Sequence, residues 1–168
     1  MNALTEKQIR ASLINASRRE VTQAVLPDLA TLPWERLDYV GWRDRKAPLA
    51  AYVVLELDGE PTGVLLRAGT APASGVRRKA LCAWCRDLSS VDAGLYVARR
   101  GGASGRAGNT IGTLVCREFT CSRNTRRPPT SSEAGDGIEA IADQVVAERI
   151  AGLRERSAQF VRDVAATT

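Results

Sequence analysis

The sequence predicts an α+β protein: one antiparallel sheet, short helices before it, a four-cysteine metal module within it and a long amphipathic helix after it. Three observations carry that prediction. The only four cysteines fall as Cys82-x2-Cys85 and, thirty residues on, Cys116-x4-Cys121. Short apolar, β-branched runs recur between residues 37 and 116, and two of them are joined by Asp58-Gly59, the strongest short hairpin signal. Near the end, Val146, Ile150, Leu153, Ser157, Phe160 and Val164 follow spacings of 4, 3, 4, 3, 4. That is the narrow seam of a helix that packs on one neighbour.

The elements follow in order. Thr5 and Gln8 form a capping box, with Leu4 ahead of it as a staple. Ile9, Leu13 and Ala16 then share one helical face, with Ile14 at its edge. A second short helix is expected over Arg19–Val25, and Pro27 and Pro33 bracket a turn-rich passage. Strands are expected over Leu37–Trp42, Ala51–Leu57 and Thr62–Ala68. Residues 94–102 and 108–116 form a further hairpin around a glycine-rich tip. After Cys116 a short helix can open, and Pro128 and Pro129 forbid its continuation. Cys116 then stands at a strand end and Cys121 in the first helical turn. The passage 128–137 is a linker or exposed loop, and 138–166 is the closing helix, expected to dock on this chain's own sheet, with a partner's helix as the alternative. One domain, 1–168, thus divides into helices and first hairpin (1–75), metal module (76–127), linker (128–137) and helix (138–166).

Two close thiol pairs can converge on one tetrahedral ion, with sulfurs about 2.3 Å from zinc. The order knuckle, hairpin, helix start is that of a treble-clef zinc finger. Structural Zn2+ held by Cys82, Cys85, Cys116 and Cys121 is the expected cofactor. Two disulfides would need an oxidising compartment. The opening MNALTEKQIR has no apolar signal region, so a reducing cytoplasmic location is expected. An iron–sulfur cluster also takes four thiolates, and four unrelated buried thiols would make no site at all.

Composition narrows the function classes. There is no histidine, which removes the commonest general acid–base and the Ser-His and Cys-His nucleophile pairs. No apolar run approaches the length of a membrane span. The glycine-rich stretch 101–108 lacks the lysine and following Ser/Thr of a phosphate loop. Four cysteines close the zinc shell, whereas a catalytic zinc keeps a position open for water. No enzyme activity and no small-molecule substrate are therefore expected. Glu118 is expected to be a solvated carboxylate, and Trp34, Trp42 and Trp84 core or cap residues. The net charge of +5 is uneven: residues 1–75 are neutral, 76–127 carry +8 and 128–168 carry −3. The metal module is the cationic part, which suits an anionic partner.

The motifs YVGWRD (39–44), EPTGVLLRAG (60–69), LCAWC (81–85), GLYV (94–97) and GNTIGTLVC (108–116), followed by an amphipathic helix, resemble the FBP family of fibronectin-binding-like proteins, whose best-known members are FusB-type fusidic-acid-resistance proteins. The resemblance spans roughly residues 5–165. It implies a C-terminal treble-clef domain that binds elongation factor G and promotes its release from the ribosome, countering fusidic acid. It also implies that the four cysteines occupy the family's zinc positions. FusB-type proteins place a helical bundle before this domain, and here about thirty residues precede the sheet.

The expected partner is elongation factor G, with the ribosome or RNA as the alternative and no membrane. The expected contact residues are Arg99, Arg100, Arg106, Arg117, Phe119 and Arg123, on the hairpin tip and finger helix, with Phe119 equally suited to the core. For RNA, arginines would neutralise phosphates and Trp84 or Tyr96 would stack a base.

Overall fold

The computed structural model describes residues 1–69, 79–89, 92–130 and 138–166. Its centre is a five-stranded antiparallel meander in sequence order: β1 (Val40–Arg43), β2 (Ala50–Leu57), β3 (Glu60–Ala68), β4 (Ala93–Arg99) and β5 (Thr110–Cys116). Asp58 and Gly59 both take positive φ, 53° and 86°, the turn whose twist matches the two strands it joins. β2 pairs on both edges and is buried on both faces, which explains its unbroken apolar run. Ala51, Val53 and Leu55 face one side; Tyr52 and Val54 face the other.

Two cores result, one on each face. On the first, α1 (Glu6–Ser12) and its flanking residues set Leu4, Ile9 and Leu13 against Val40, Trp42, Tyr52, Val54 and Leu65, and α2 (Arg18–Gln23) adds the part-buried Val21. The Thr5–Gln8 capping box is present, and Ser17 with Glu20 forms a second one that starts α2. On the opposite face sit the cysteines, Trp84 and the long helix, labelled α5 here (Ile138–Ala165). Its seam is buried at Leu153, Ser157, Phe160 and Val164, so this half docks on its own sheet and finger. Burying each such aliphatic or aromatic side chain contributes about 1.5–3 kcal/mol.

Some expected bounds shift for physical reasons. α1 stops at Ser12 rather than running to Ala16, because Leu13 turns extended and bridges Gly63, with the Ile14 N–H donating to the Gly63 carbonyl. Asn15 then does the work of a strand residue. β3 and β4 pair only at Arg67–Val97 and Ala68–Tyr96, so the Leu65 backbone would lack partners. The Asn15 amide accepts from Leu65 N–H (2.7 Å) and donates to the Leu65 and Arg99 carbonyls (3.0 and 2.9 Å). β1 begins at Val40, three residues late, because Asp38 and Tyr39 are turned into the finger. The β4–β5 tip is not an open loop: it folds as α3 (Gly102–Arg106). The expected boundary at 75/76 and residues 131–137 of the expected linker lie outside the described residues. No helix among the described residues is long and apolar enough to cross a membrane.

Candidate metal centre

The four cysteines meet where knuckle, sheet and finger helix converge. Residues 83–85 form a turn in which the Cys85 N–H points at Cys82 Sγ (3.4 Å) and the Arg86 N–H at the Cys82 carbonyl (3.1 Å). Cys116 ends β5, and Cys121 opens α4 (Cys121–Thr125), as the x4 spacing predicts. Between them Phe119 adopts φ 53°, uncommon for a bulky side chain. Its ring lies on Gly41, where a Cβ would come within 2.6 Å of the ring, and tilts against Tyr96 at 5.2 Å between centroids. Only glycine at 41 leaves that slot, and the filled slot holds the turn that delivers Cys121.

All four sulfurs lie within 4.8 Å of one another; Cys82–Cys121 and Cys85–Cys116 are 3.6 Å apart. A tetrahedron with 2.3 Å arms places its corners about 3.8 Å apart, so the spacing fits one zinc ion. The chemistry of the surroundings agrees. Asn124, one turn after Cys121, donates its amide to Cys116 Sγ at 3.4 Å and lies 3.9 Å from Cys85 Sγ. Packed thiols without a cation must share protons. Hydrogen bonds from Cys116 and Cys121 drive the Cys82 thiol far down, while bonds to Cys116 and Cys82 push Cys121 far up. A divalent cation removes that conflict by stabilising all four as thiolates. The shell is complete, so the zinc is structural: the four buried thiols and their spacing support it.

Trp84, inside the knuckle, is buried between Tyr39 (5.2 Å, edge-on) and Phe160 of α5 (5.6 Å). The Trp84 carbonyl accepts from Arg156 Nε at 2.6 Å. A second link is ionic. Asp38, whose side chain is 0 % exposed, accepts from both arms of Arg126 on the finger (2.5 and 3.1 Å) and from Arg154 Nε on α5 (2.8 Å), while its N–H donates to Ser122 Oγ. Burial alone would raise the Asp38 pKa; the bonds from Arg126 and Arg154 overcome it and hold the carboxyl below its usual range. Sequence patterns pointed to neither clamp. Asn124, at one helical turn from Cys121, was the one partner that spacing could have flagged.

The expected contact residues are dispersed and mostly engaged. Arg99 pairs with Glu20 at 2.7 Å. Arg100 donates to the Asp163 carbonyl at 2.7 Å, and the Gly101 N–H to the Val164 carbonyl, so the hairpin tip caps the end of α5 rather than standing free. Arg117 pairs with Asp92 at 2.8 Å. Phe119 is core. Arg106 and Arg123 are exposed, as is Arg86, which the sequence did not single out; none of the three makes an ion pair among the described residues. Trp84 and Tyr96, the candidate base-stacking rings, are both buried.

Against known proteins, residues 8–164 match the family model described as FBP C-terminal treble-clef zinc-finger. The match covers nearly the whole chain, and the chain belongs to this family. No curated protein and no solved structure matches it.

Proposed function

We propose that this member of the FBP C-terminal treble-clef zinc-finger family is a cytoplasmic binding protein whose zinc-held finger docks on elongation factor G and modulates its release from the ribosome. Protection against fusidic acid is the consequence of such release. The reading assigns recognition and no catalysis, since a closed four-thiolate shell offers no open position for a reacting water. The observation that carries it is the finger itself: a metal-held scaffold clamped to the sheet, with Arg86, Arg106 and Arg123 exposed and without carboxylate partners among the described residues. A rigid scaffold loses little entropy on binding. Exposed cations on it suit an acidic protein surface, acting mainly through on-rate and orientation. RNA binding loses support, because the rings that would stack bases are buried.

The test is capture of elongation factor G by the zinc-loaded protein, with and without ribonuclease. Arg86→Glu, Arg106→Glu and Arg123→Glu together should leave zinc content unchanged and weaken binding by at least about tenfold, more so at low salt. Equal binding by the triple variant would make these arginines a solvated surface. Binding that vanishes with ribonuclease would transfer the function to RNA.

A further inference from the structure

The two edge strands of the sheet, β1 and β5, are not alike. On β1, Val40 and Trp42 are buried, and the Phe119 ring lies on Gly41. On β5, Thr110, Gly112 and Leu114 are all exposed. The ladder with β4 fixes where their backbone points. The Arg100 N–H donates to the Asn109 carbonyl and the Arg117 N–H to the Asp92 carbonyl. Pairing alternates along an antiparallel ladder. Ile111, Thr113 and Val115 therefore bond to β4, while Thr110, Gly112 and Leu114 turn their N–H and C=O groups outward. Among the described residues, the Leu114 carbonyl alone of these outward groups has a backbone partner, the Ala83 N–H at 2.8 Å. Native edges are blunted by charges, proline or bulges, and residues 110–115 contain no charge and no proline. The adjoining face is also uncovered. Tyr96 and Ala98 face the finger core, so Leu95 and Val97 face the other side, where the core under α1 includes no residue of β4 or β5. Leu95, 51 % exposed, stands opposite Leu114, 38 % exposed. It reaches over Gly112, where a Cβ would meet Leu95 Cδ1 at 3.4 Å.

We propose that the outer edge of β5 takes up an extended acidic segment of a partner protein as a sixth strand. In strand addition, main-chain hydrogen bonds give affinity and alternate side chains give specificity. Thr110, Gly112 and the Leu114 N–H supply the main-chain groups. The Leu95–Leu114 patch takes an aliphatic or β-branched side chain of the segment. Charge makes the segment acidic. Arg106 stands just before the strand, and Arg86 lies in the knuckle turn whose Ala83 meets Leu114. Both are exposed, and neither makes an ion pair among the described residues. Carboxylates toward the two ends of the segment complement them. The same charge disfavours a second copy, since pairing β5 with β5 would bring two modules of +8 together. The proposal deepens the reading above by saying how the partner is held, and rests on it only in taking the partner to be a protein.

The experiment follows backbone amide exchange by NMR in the full zinc-loaded chain, with a capped acidic strand peptide, Glu-Thr-Val-Thr-Val-Glu, as the probe. In the free protein the Thr110 and Gly112 amides should exchange faster than those of Ile111 and Thr113, which bond to β4. Saturating peptide should slow the Gly112 and Leu114 amides by about tenfold or more. Gly112→Pro removes only an outward N–H, a place where an edge strand accepts proline. It should keep its zinc and lower peptide affinity at least about fivefold, the scale of one lost hydrogen bond. The same peptide N-methylated at its four central residues keeps its side chains and should not bind, which decides the matter if Gly112→Pro does not fold. Three results overturn the proposal: Gly112 as slow as Ile111 without peptide, no slowing with it, or equal binding of the N-methylated peptide. A dimer in sedimentation that the peptide cannot dissociate overturns it too, by assigning the edge to a second copy. Capture of elongation factor G is scored separately: a chain that binds the peptide but not the factor refutes the reading above and keeps the edge.

Discussion

Replacing Asp38 by Asn tests the clamp that ties finger and long helix to the start of the sheet. The change keeps the volume and removes the charge. It leaves Arg126, 17 % exposed, facing a neutral amide whose NH2 end cannot accept. Removing one partner of a buried ion pair costs about 3–5 kcal/mol. Two features place Asp38→Asn near the lower end. Arg154 is 62 % exposed and can turn into water, and the Asn carbonyl still accepts one bond from Arg126. The expected loss is therefore about 3 kcal/mol, read as a lower urea midpoint of the zinc-loaded protein with unchanged slope. The sign with pH follows from the depressed Asp38 pKa. Its stabilisation is complete above the ordinary carboxyl value of 3.8 and is lost as pH falls through the lower folded value. The gap between parent and variant should accordingly stay constant from neutral pH down to about 3.8 and shrink as pH falls further, toward the lower folded value. A loss below about 0.5 kcal/mol, the range of ordinary surface substitutions, would refute the clamp. So would a gap that widens on acidification.

Two further substitutions follow from the packing. Phe160→Ala should cost about 3–5 kcal/mol, as truncations of buried aromatics do, because the ring is 6 % exposed and packs on Trp84; a negligible change in calorimetry would mean that the seam serves a partner instead. Gly41→Ala should cost about 1–3 kcal/mol by overpacking, since its Cβ would meet Phe119 at 2.6 Å. Cobalt spectra of the Gly41 variant should also report a loosened Cys121, and a variant as stable as the parent would show that Phe119 yields freely.

What the sequence disclosed was local. Two close cysteine pairs, a Thr5–Gln8 box and Asp58-Gly59 each specify a structure within five residues, and each is found as expected. Periodicity placed the closing helix, because Leu153, Ser157, Phe160 and Val164 return to one side by helical geometry alone. The long-range polar links had no such signature. Asp38 finds Ser122, Arg126 and Arg154 at separations of 84, 88 and 116 residues, and no spacing rule anticipates partners so far apart. Charge counting at the finger is blind to local pairing for a related reason. It shows how many arginines are present but not their intramolecular partners: Arg99, Arg100 and Arg117 pair with Glu20, the end of α5 and Asp92. Tyr39 fits a strand by propensity, yet it precedes β1, because the finger core claims its ring.

The central claim is that four thiolates close on one zinc ion and thereby hold the finger. Native mass spectrometry of the zinc-loaded chain, beside Cys85→Ser, tests it most directly. The account predicts one zinc per chain in the parent. It also predicts thiols protected from alkylation, and loss of both metal and protection in Cys85→Ser, since structural zinc supplies on the order of 10 kcal/mol of folding energy. A parent that is folded and metal-free, or a Cys85→Ser variant that keeps its zinc in full, would contradict it.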